Sequence, residues 1–414
     1  MSKRKPFSLL AYPRFGRDMN LIVLSLILAN IGSNAEGRFF PLYVRELGAS
    51  PTEVNFLVGT VVGLFVVLLS PIGGWATDRY RRISLYALGP IVGAIGEILM
   101  ALAPRWGWLV PGYLLSVFPG LLVGPALFGL VSDLGPEETR GSRFAYQAAA
   151  LGICAAVGPL LGGLVYEHYG YRTLMLGQAV MLCLAGIVRS RIRDPREATR
   201  RTAGYRAPAL GPGLKQALAM IVASRQLRLA FLVATLMGLG TAAVGGLVSL
   251  FMSEVAHVSQ ADMGIVFAIA GVTTIVGSVV SGIAADRLGR KPVLAVALFG
   301  TAIGFIWFTG ARSLAALGAV WLYQGFVGSL AGPAADAFVA DLTDPNSRGT
   351  VRSVLNALMT LAVLPAPLLG GFLWERLAPA ASFWFAAFAV AIAGLVLVVW
   401  MKEPRRSGPS QPRQ

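Results

Sequence analysis

Four ionisable residues stand inside long apolar runs of this 414-residue chain: Glu36, Arg38, Glu97 and Asp336. A charged group near the middle of a membrane helix costs ~2.5–3.5 kcal/mol on insertion scales, so each of these calls for a partner, a wet cavity or a proton. Glu36 and Asp336 are acids that could take up and release a proton. Asn30, Asn34 and Arg38 follow one another at a spacing of four and form one polar stripe on a helix. Glu36, two residues from Arg38, points to another side. The two histidines, His168 and His257, are too sparse to hold a metal or to serve a nucleophile, and no phosphate-cradling glycine loop ends in Lys–Ser/Thr. Nothing here reads as an enzyme, a metal site or a cofactor site. The energy for any work must come from an ion gradient or from the substrate's own gradient.

The elements that position these groups are membrane helices. Charged residues make up 13% of the chain and hydrophobic ones 56%, with a mean hydropathy of +0.68. A soluble protein of this length carries about a quarter charged residues. Apolar segments fall at 19–44, 54–77, 84–103, 108–132, 144–166 and 172–190, and after a polar break at 229–252, 262–285, 292–310, 314–340, 351–374 and 381–401. Most can cross a hydrocarbon core of about 30 Å, and none shows the alternation of a membrane barrel. With the N-terminus cytoplasmic, inner segments hold 29 Lys and Arg and outer loops hold 5. The positive-inside rule then puts both termini in the cytoplasm of a multi-pass inner (plasma) membrane protein. The net charge of +15 is a topology signal rather than a nucleic-acid footprint. Cys154 and Cys183 fall within apolar segments and imply no disulfide. The basic first 18 residues lack a cleavage site and lead into a retained first helix.

The chain repeats itself at an offset of 208. Asp78 and Arg79 match Asp286 and Arg287, Asp133 matches Asp341, Arg140 and Gly141 match Arg348 and Gly349, and Pro159, Gly162, Gly163 and Glu167 match Pro367, Gly370, Gly371 and Glu375. Glu46 matches Glu254. The expected fold is all-α, with twelve transmembrane helices in two pseudo-symmetric six-helix bundles, 1–192 and 229–401. A cytoplasmic linker, 193–228, joins them and a tail, 402–414, follows. The break as a whole carries ten basic residues from Arg189 to Arg228, and its stretch Leu214 to Leu227 is weakly amphipathic, suited to the membrane surface. A parallel repeat about an axis normal to the membrane is an architecture of secondary transporters.

Between the eighth and ninth segments, Gly282, Asp286, Arg287, Gly289, Arg290 and Lys291 complete G-x-x-x-D-R-x-G-R-K. With the six-plus-six layout, this resembles the major facilitator superfamily over nearly the whole chain. Gly74, Asp78, Arg79 and Arg82 form the first-half copy, where Arg81 replaces the glycine and Ile83 a basic residue. The glycine one turn before the acid would let another helix approach closely. The acid could meet the positive N-terminus of a neighbouring helix. The later arginine could pair with a second carboxylate. The resemblance supplies that carboxylate, and Asp78–Arg82–Asp133 and Asp286–Arg290–Asp341 would latch the cytoplasmic side shut in the outward-facing state. Arg287 and Lys291 would serve the latch or only the positive-inside rule.

Gly158, Pro159, Gly162 and Gly163 are similar to the helix-5 motif of the drug:proton antiporter branch, with Cys154 in place of its upstream glycine. Pro367, Gly370 and Gly371 repeat the pattern after Ala366, as an exporter signature or as tight packing in a duplicated fold. A helix-4 arginine common in that branch is replaced by Ser116. In the resembled family helix 1 lines the central cavity and helix 3 lies further out. Glu36 is accordingly expected to couple protons or to form a structural ion pair, with Asp336 as the other coupling candidate or a latch residue. Asn30, Asn34, Arg38, Phe39, Phe40, Tyr323 and Phe326 are expected to contact substrate, with Arg38 alternatively snorkelling to the interface. Tyr43 and Trp374 are expected at the membrane interface and Glu97 as a buried structural carboxyl. The resemblance implies a monomeric transporter in the lipid bilayer, without nucleic acid, that exports small amphipathic molecules in exchange for protons by alternating access. The alternatives are a metabolite or lipid-like substrate carrier and a transport-inactive sensor.

Overall fold

The computed structural model describes residues 15–69, 82–136, 139–193, 218–343 and 348–403. Among them twelve helices are long and apolar enough to cross a membrane: α1 (Arg17–Gly37), α2 (Pro51–Leu69), α3 (Ile83–Ala101), α4 (Trp106–Asp133), α5 (Arg140–Tyr169), α6 (Tyr171–Ser190), α7 (Arg225–Val244), α8 (Gln260–Leu288), α9 (Arg290–Gly310), α10 (Leu314–Asp341), α11 (Thr350–Arg376) and α12 (Pro379–Trp400). The chain is a multi-pass, all-helical membrane protein. Large apolar side chains such as Leu68, Val180, Ile303 and Phe388 stand exposed around the bundle, as lipid-facing positions must.

The 208-residue repeat reappears as packing. α1 lies on α5 and α6, and α7 on α11 and α12; α3 lies on α4 and α6, and α9 on α10 and α12. The two halves meet where α5 packs on α8 and α11 on α2. Glycines make both kinds of contact. A Cβ at Gly162 would overlap the Ala35 carbonyl of α1, and one at Gly370 the Ala243 carbonyl of α7, 208 residues on. One residue later, Gly163 abuts Gln260 and Ala261 at the start of α8, and Gly371 abuts Thr52 at the start of α2. Each Gly–Gly pair therefore lets one helix touch its own half and the other half at adjacent positions.

Two expectations change. Tyr43 and Trp374, expected at the membrane interface, are buried at 4% and 7% exposure in an aromatic core with Tyr171, Phe251, Phe308 and Phe383. Arg189, counted above with the basic break, lies within α6 and is turned inward at 3% exposure, while Arg191 and Arg193 beyond it are exposed. The described end of the amphipathic stretch, helical over 218–223, packs Ile221 against Val351, Val354 and Leu355 of α11 and leaves Val222 exposed.

Candidate functional site

A cavity of about 540 Å³ lies inside the first half, walled by α1, α3, α4 and α6 with Leu151 of α5. Its polar lining includes Asn30, Glu36, Glu97, Ser116, Gln178 and Arg189. Helix α3, packed on α4 and α6, carries Glu97 to Glu36, and the two carboxyls come within hydrogen-bonding reach of each other. Glu97 is 3% exposed, and one oxygen of each acid has no conventional donor. Two carboxylates this close in one low-dielectric site cannot both ionise cheaply. From the sequence Glu97 is expected away from the cavity, because helix 3 lies further out in the resembled family. The face of α3 on which Glu97 lies brings it into the cavity instead.

The polar stripe of α1 is divided. Asn30 lines the cavity and its amide donates to the Leu26 carbonyl, 2.8 Å. Asn34 donates to the Asn30 carbonyl, 2.8 Å, and packs beside Gly158 of α5. At residues 38 and 39 α1 breaks, and a short helix, Phe40–Glu46, continues it. Arg38 stays accessible, its guanidinium 5.4 Å over the ring of Phe267 on α8 in the other half. Phe39 and Phe40, expected at the cavity, are instead core: Phe39 is fully buried edge-on to Tyr166 and Phe267, and Phe40 packs on Tyr113 and Tyr171. Tyr323 turns to α9, edge-on to Trp307, and Phe326 packs partly buried in the second half's core. Asp336 is ion-paired to Arg352 of α11 at 2.7 Å, with both side chains half exposed.

The membrane-crossing end that holds Tyr43, Gly163 and Gly371, here the far face, ties the halves together. Glu167, at the end of α5, accepts the backbone N–H of Ala261 at the start of α8, 2.7 Å. Glu375, at the end of α11, accepts that of Thr52 at the start of α2, 2.9 Å. Carboxylates belong at helix N-termini, where N–H groups lack intrahelical partners and the dipole is positive. Arg45 adds an ion pair to Glu254 of the other half, 2.7 Å, and within the first half the Tyr166 hydroxyl donates to Glu46, 2.5 Å. Deeper in, Asn55 of α2 is buried at 1% exposure. Its amide donates to the carbonyls of Ala243 and Pro367, 2.7 and 2.8 Å, and its oxygen accepts Gly246 N–H, 3.0 Å. Ala243 and Gly246 lie where α7 ends, and Pro367 lies just past the turn in α11. A lone amide in an apolar run was the overlooked signal.

At the opposite end, Arg290 opens α9 between two acids: Nη1 donates to Asp286 Oδ1 at 3.0 Å, and Nε forms an ion pair with Asp341 Oδ2 at 3.2 Å. Asp286 and Asp341 thus meet Arg290 as the motif leads one to expect, but all three belong to one half. Gly282 differs from expectation: a Cβ there would meet nothing within 4 Å, so no helix packs on it in this conformation, and the Asp286 side chain is 76% exposed. Gly74, Asp78 and Arg79, and the side chain of Arg82, lie outside the described residues. Asp133 closes α4, whose terminal carbonyls at Val131 and Ser132 accept from the Arg143 guanidinium. Lys291 has a role that the sequence left open. Its ammonium donates to the carbonyls of Val398 and Met401 at the end of α12, while Glu403 accepts the N–H groups of Arg290 and Lys291. Gly289, at φ +104°, makes the left-handed turn between α8 and α9 that places these donors.

The sequence model of the Major Facilitator Superfamily matches residues 22–232 and 230–414. The chain belongs to that superfamily. Among curated relatives, it is 23% identical to the multi-drug resistance efflux pump PmrA of Streptococcus pneumoniae serotype 4, over 86% of this chain and 89% of that one. It is 22% identical to multidrug resistance protein 1 of Bacillus subtilis, over 93% and 96%. Among solved structures, the nucleoside transporter NupG superposes with a TM-score of 0.75 at 14% identity, covering 93% of this chain and all of the other. The D-xylose–proton symporter does so with 0.70 at 15% identity, covering 94% and 98%. These superpositions show the superfamily's fold, and the efflux relatives agree with the antiporter-like branch.

Proposed function

We propose that this superfamily transporter exports small amphipathic compounds in exchange for protons, by alternating access at a bacterial-type plasma membrane. The observation that carries the reading is the Glu36–Glu97 pair in an otherwise largely apolar cavity of about 540 Å³, a volume within the range of small-molecule sites. With one proton between them the acids keep one negative charge, which favours a substrate bearing positive charge. A second proton cancels that charge and favours release, so substrate and proton compete for one site. The likeness to efflux pumps and the apolar cavity walls support the amphipathic substrate class.

The positive-inside bias puts both termini in the cytoplasm, which makes the far face the outer one. The structure is then the inward-facing state, with the outer face held by Glu167, Glu375 and Asn55. The Arg290–Asp341 pair keeps the latch helices in place, and Gly282 and Asp286 form the surface that would receive the first half in the outward-facing state. Arg38 and Asn34 stand between the cavity and the outer barrier, and Phe39 belongs to that barrier. A second reading, a carrier without proton coupling, is favoured by Ser116 at the position of the branch's helix-4 arginine.

Reconstitution in proteoliposomes with an imposed pH gradient separates the two. Efflux of a cationic dye driven by the gradient, lost in Glu36→Gln and in Glu97→Gln while both variants still bind dye or equilibrate it downhill, is the expected result. Dye movement that ignores the gradient in the unmodified protein would remove the antiporter reading.

A further inference from the structure

Arg189 is the one buried arginine that lines the cavity among the described residues, and the antiport reading does not use it. It sits in the last turn of α6, where a topology-setting arginine would reach out to the interface. Instead it is 3% exposed, while Arg191 and Arg193 are exposed. Its neighbours are neutral. Nε donates to Ser25 Oγ at 3.3 Å, Nη1 donates to the Tyr86 carbonyl at 3.2 Å, and the guanidinium lies 4.1 Å over the Tyr86 ring. Among the described residues it has no carboxylate partner. A guanidinium has five N–H donors in a fork that matches a carboxylate, and a buried cation without a counter-charge is costly. An ionisable group of this kind inside a membrane bundle marks a functional site by default.

The cavity has opposite charges at its two ends. Ser25, which receives Arg189, and Glu36 are 11 residues apart on the unbroken helix α1, about 16 Å along its axis. Between them the wall combines apolar side chains, among them Leu26, Val123, Leu151 and Leu182, with the neutral polar Asn30 and Gln178. We infer that Arg189 binds an anionic group of the substrate, so that the cavity takes a dipolar amphipath: a cationic group at Glu36 and Glu97, and a carboxylate or sulfonate at Arg189. This rests on the amphipath reading above and narrows it, and it gives Arg189 the role of a specificity-determining residue. Its competitor is a purely structural one, in which Arg189 only ties α1, α3 and α6 together through Ser25 and Tyr86.

The test is equilibrium binding to the full chain in lipid nanodiscs, using an unsubstituted rhodamine with a free carboxylate and its methyl ester. The dyes share size and cationic ring system and differ in the anionic group. Arg189→Gln is expected to weaken the free-carboxylate dye by about tenfold or more, the scale of a charge-assisted contact, and to leave the ester within about twofold. Arg189→Lys, which keeps the charge without the fork and guards against a folding failure of the glutamine variant, is expected to fall between. Equal weakening of both dyes in both variants, or no change in either, overturns the anion role. Binding of neither dye by the unmodified protein overturns the amphipath reading and this inference with it.

Discussion

The Glu375 carboxylate at the end of α11 accepts the backbone N–H of Thr52 at the start of α2, 2.9 Å, and 208 residues earlier Glu167 makes the same contact with Ala261 of α8, 2.7 Å. A duplicated acid thus bridges the halves twice, at symmetric places on one face. In Glu167→Gln and Glu375→Gln the amide can still accept a hydrogen bond but has lost the charge that the helix dipole favours. Both variants are expected to shift the population toward the state open at this face, with the double variant shifted furthest. Cysteine labelling at a barrier position such as Phe39, buried in the present state, reads this directly. Labelling rates unchanged from the parent in the double variant would show that the two acids do not hold this face.

The Gly–Gly pairs separate folding from gating. Gly162 and Gly370 abut backbone of their own half, so Gly162→Ala and Gly370→Ala should overpack each half by about 1–3 kcal/mol and lower thermal stability. Gly163 and Gly371 abut backbone of the other half. Alanine there should leave thermal stability near the parent's, because the halves can separate at this face, and should favour the conformation in which they do. Equal loss of melting temperature at all four positions would contradict this division.

Much of the architecture was legible because it is written in composition and in a repeat: twelve apolar runs, and one offset that carries Gly162 to Gly370 and Glu167 to Glu375. The Arg290–Asp341 pair was legible from a resemblance, and the structure shows it within one half. What could not be read was the azimuth of single residues. Glu97 looks like any acid in an apolar helix until α3 is packed and it meets Glu36. Phe39 looked like a cavity aromatic, yet the break after Gly37 turns it into the core. Arg189 looked like one more linker charge because sequence alone does not say where α6 ends. Glu403 lay in an apparently featureless tail.

Asn55 carries the densest polar contact between the halves. Replacing it with alanine leaves the carbonyls of Ala243 and Pro367 and the N–H of Gly246 without their partner in a buried junction. Unsatisfied buried groups cost about 1–3 kcal/mol each unless water reaches them. Asn55→Asp removes two donors and points a carboxylate at two carbonyls, so it should be the more damaging of the two. The expected order in melting temperature is parent, Asn55→Ala, Asn55→Asp; the reverse order would mean that water or rearrangement supplies the junction.

The reciprocal caps between α9 and α12 explain why Lys291 stands in the second-half motif where the first half has Ile83. Lys291 satisfies carbonyls that end α12, and Glu403 satisfies N–H groups that begin α9, so each helix closes the other's unpaired end. In the first half Ile83 packs instead against the apolar core around Tyr86 and Leu130. The caps also fix the backbone of Arg290, from which the guanidinium reaches Asp286 and Asp341. Glu403→Ala is expected to lower stability by about 1 kcal/mol, as loss of a helix N-cap does. Lys291→Met keeps the apolar stem and loses the donors, and should act in the same direction. The two changes share one junction, so the double variant should cost less than the sum of the singles. A double-variant cycle by thermal unfolding in detergent reads that coupling, and strict additivity would show that the two caps act independently.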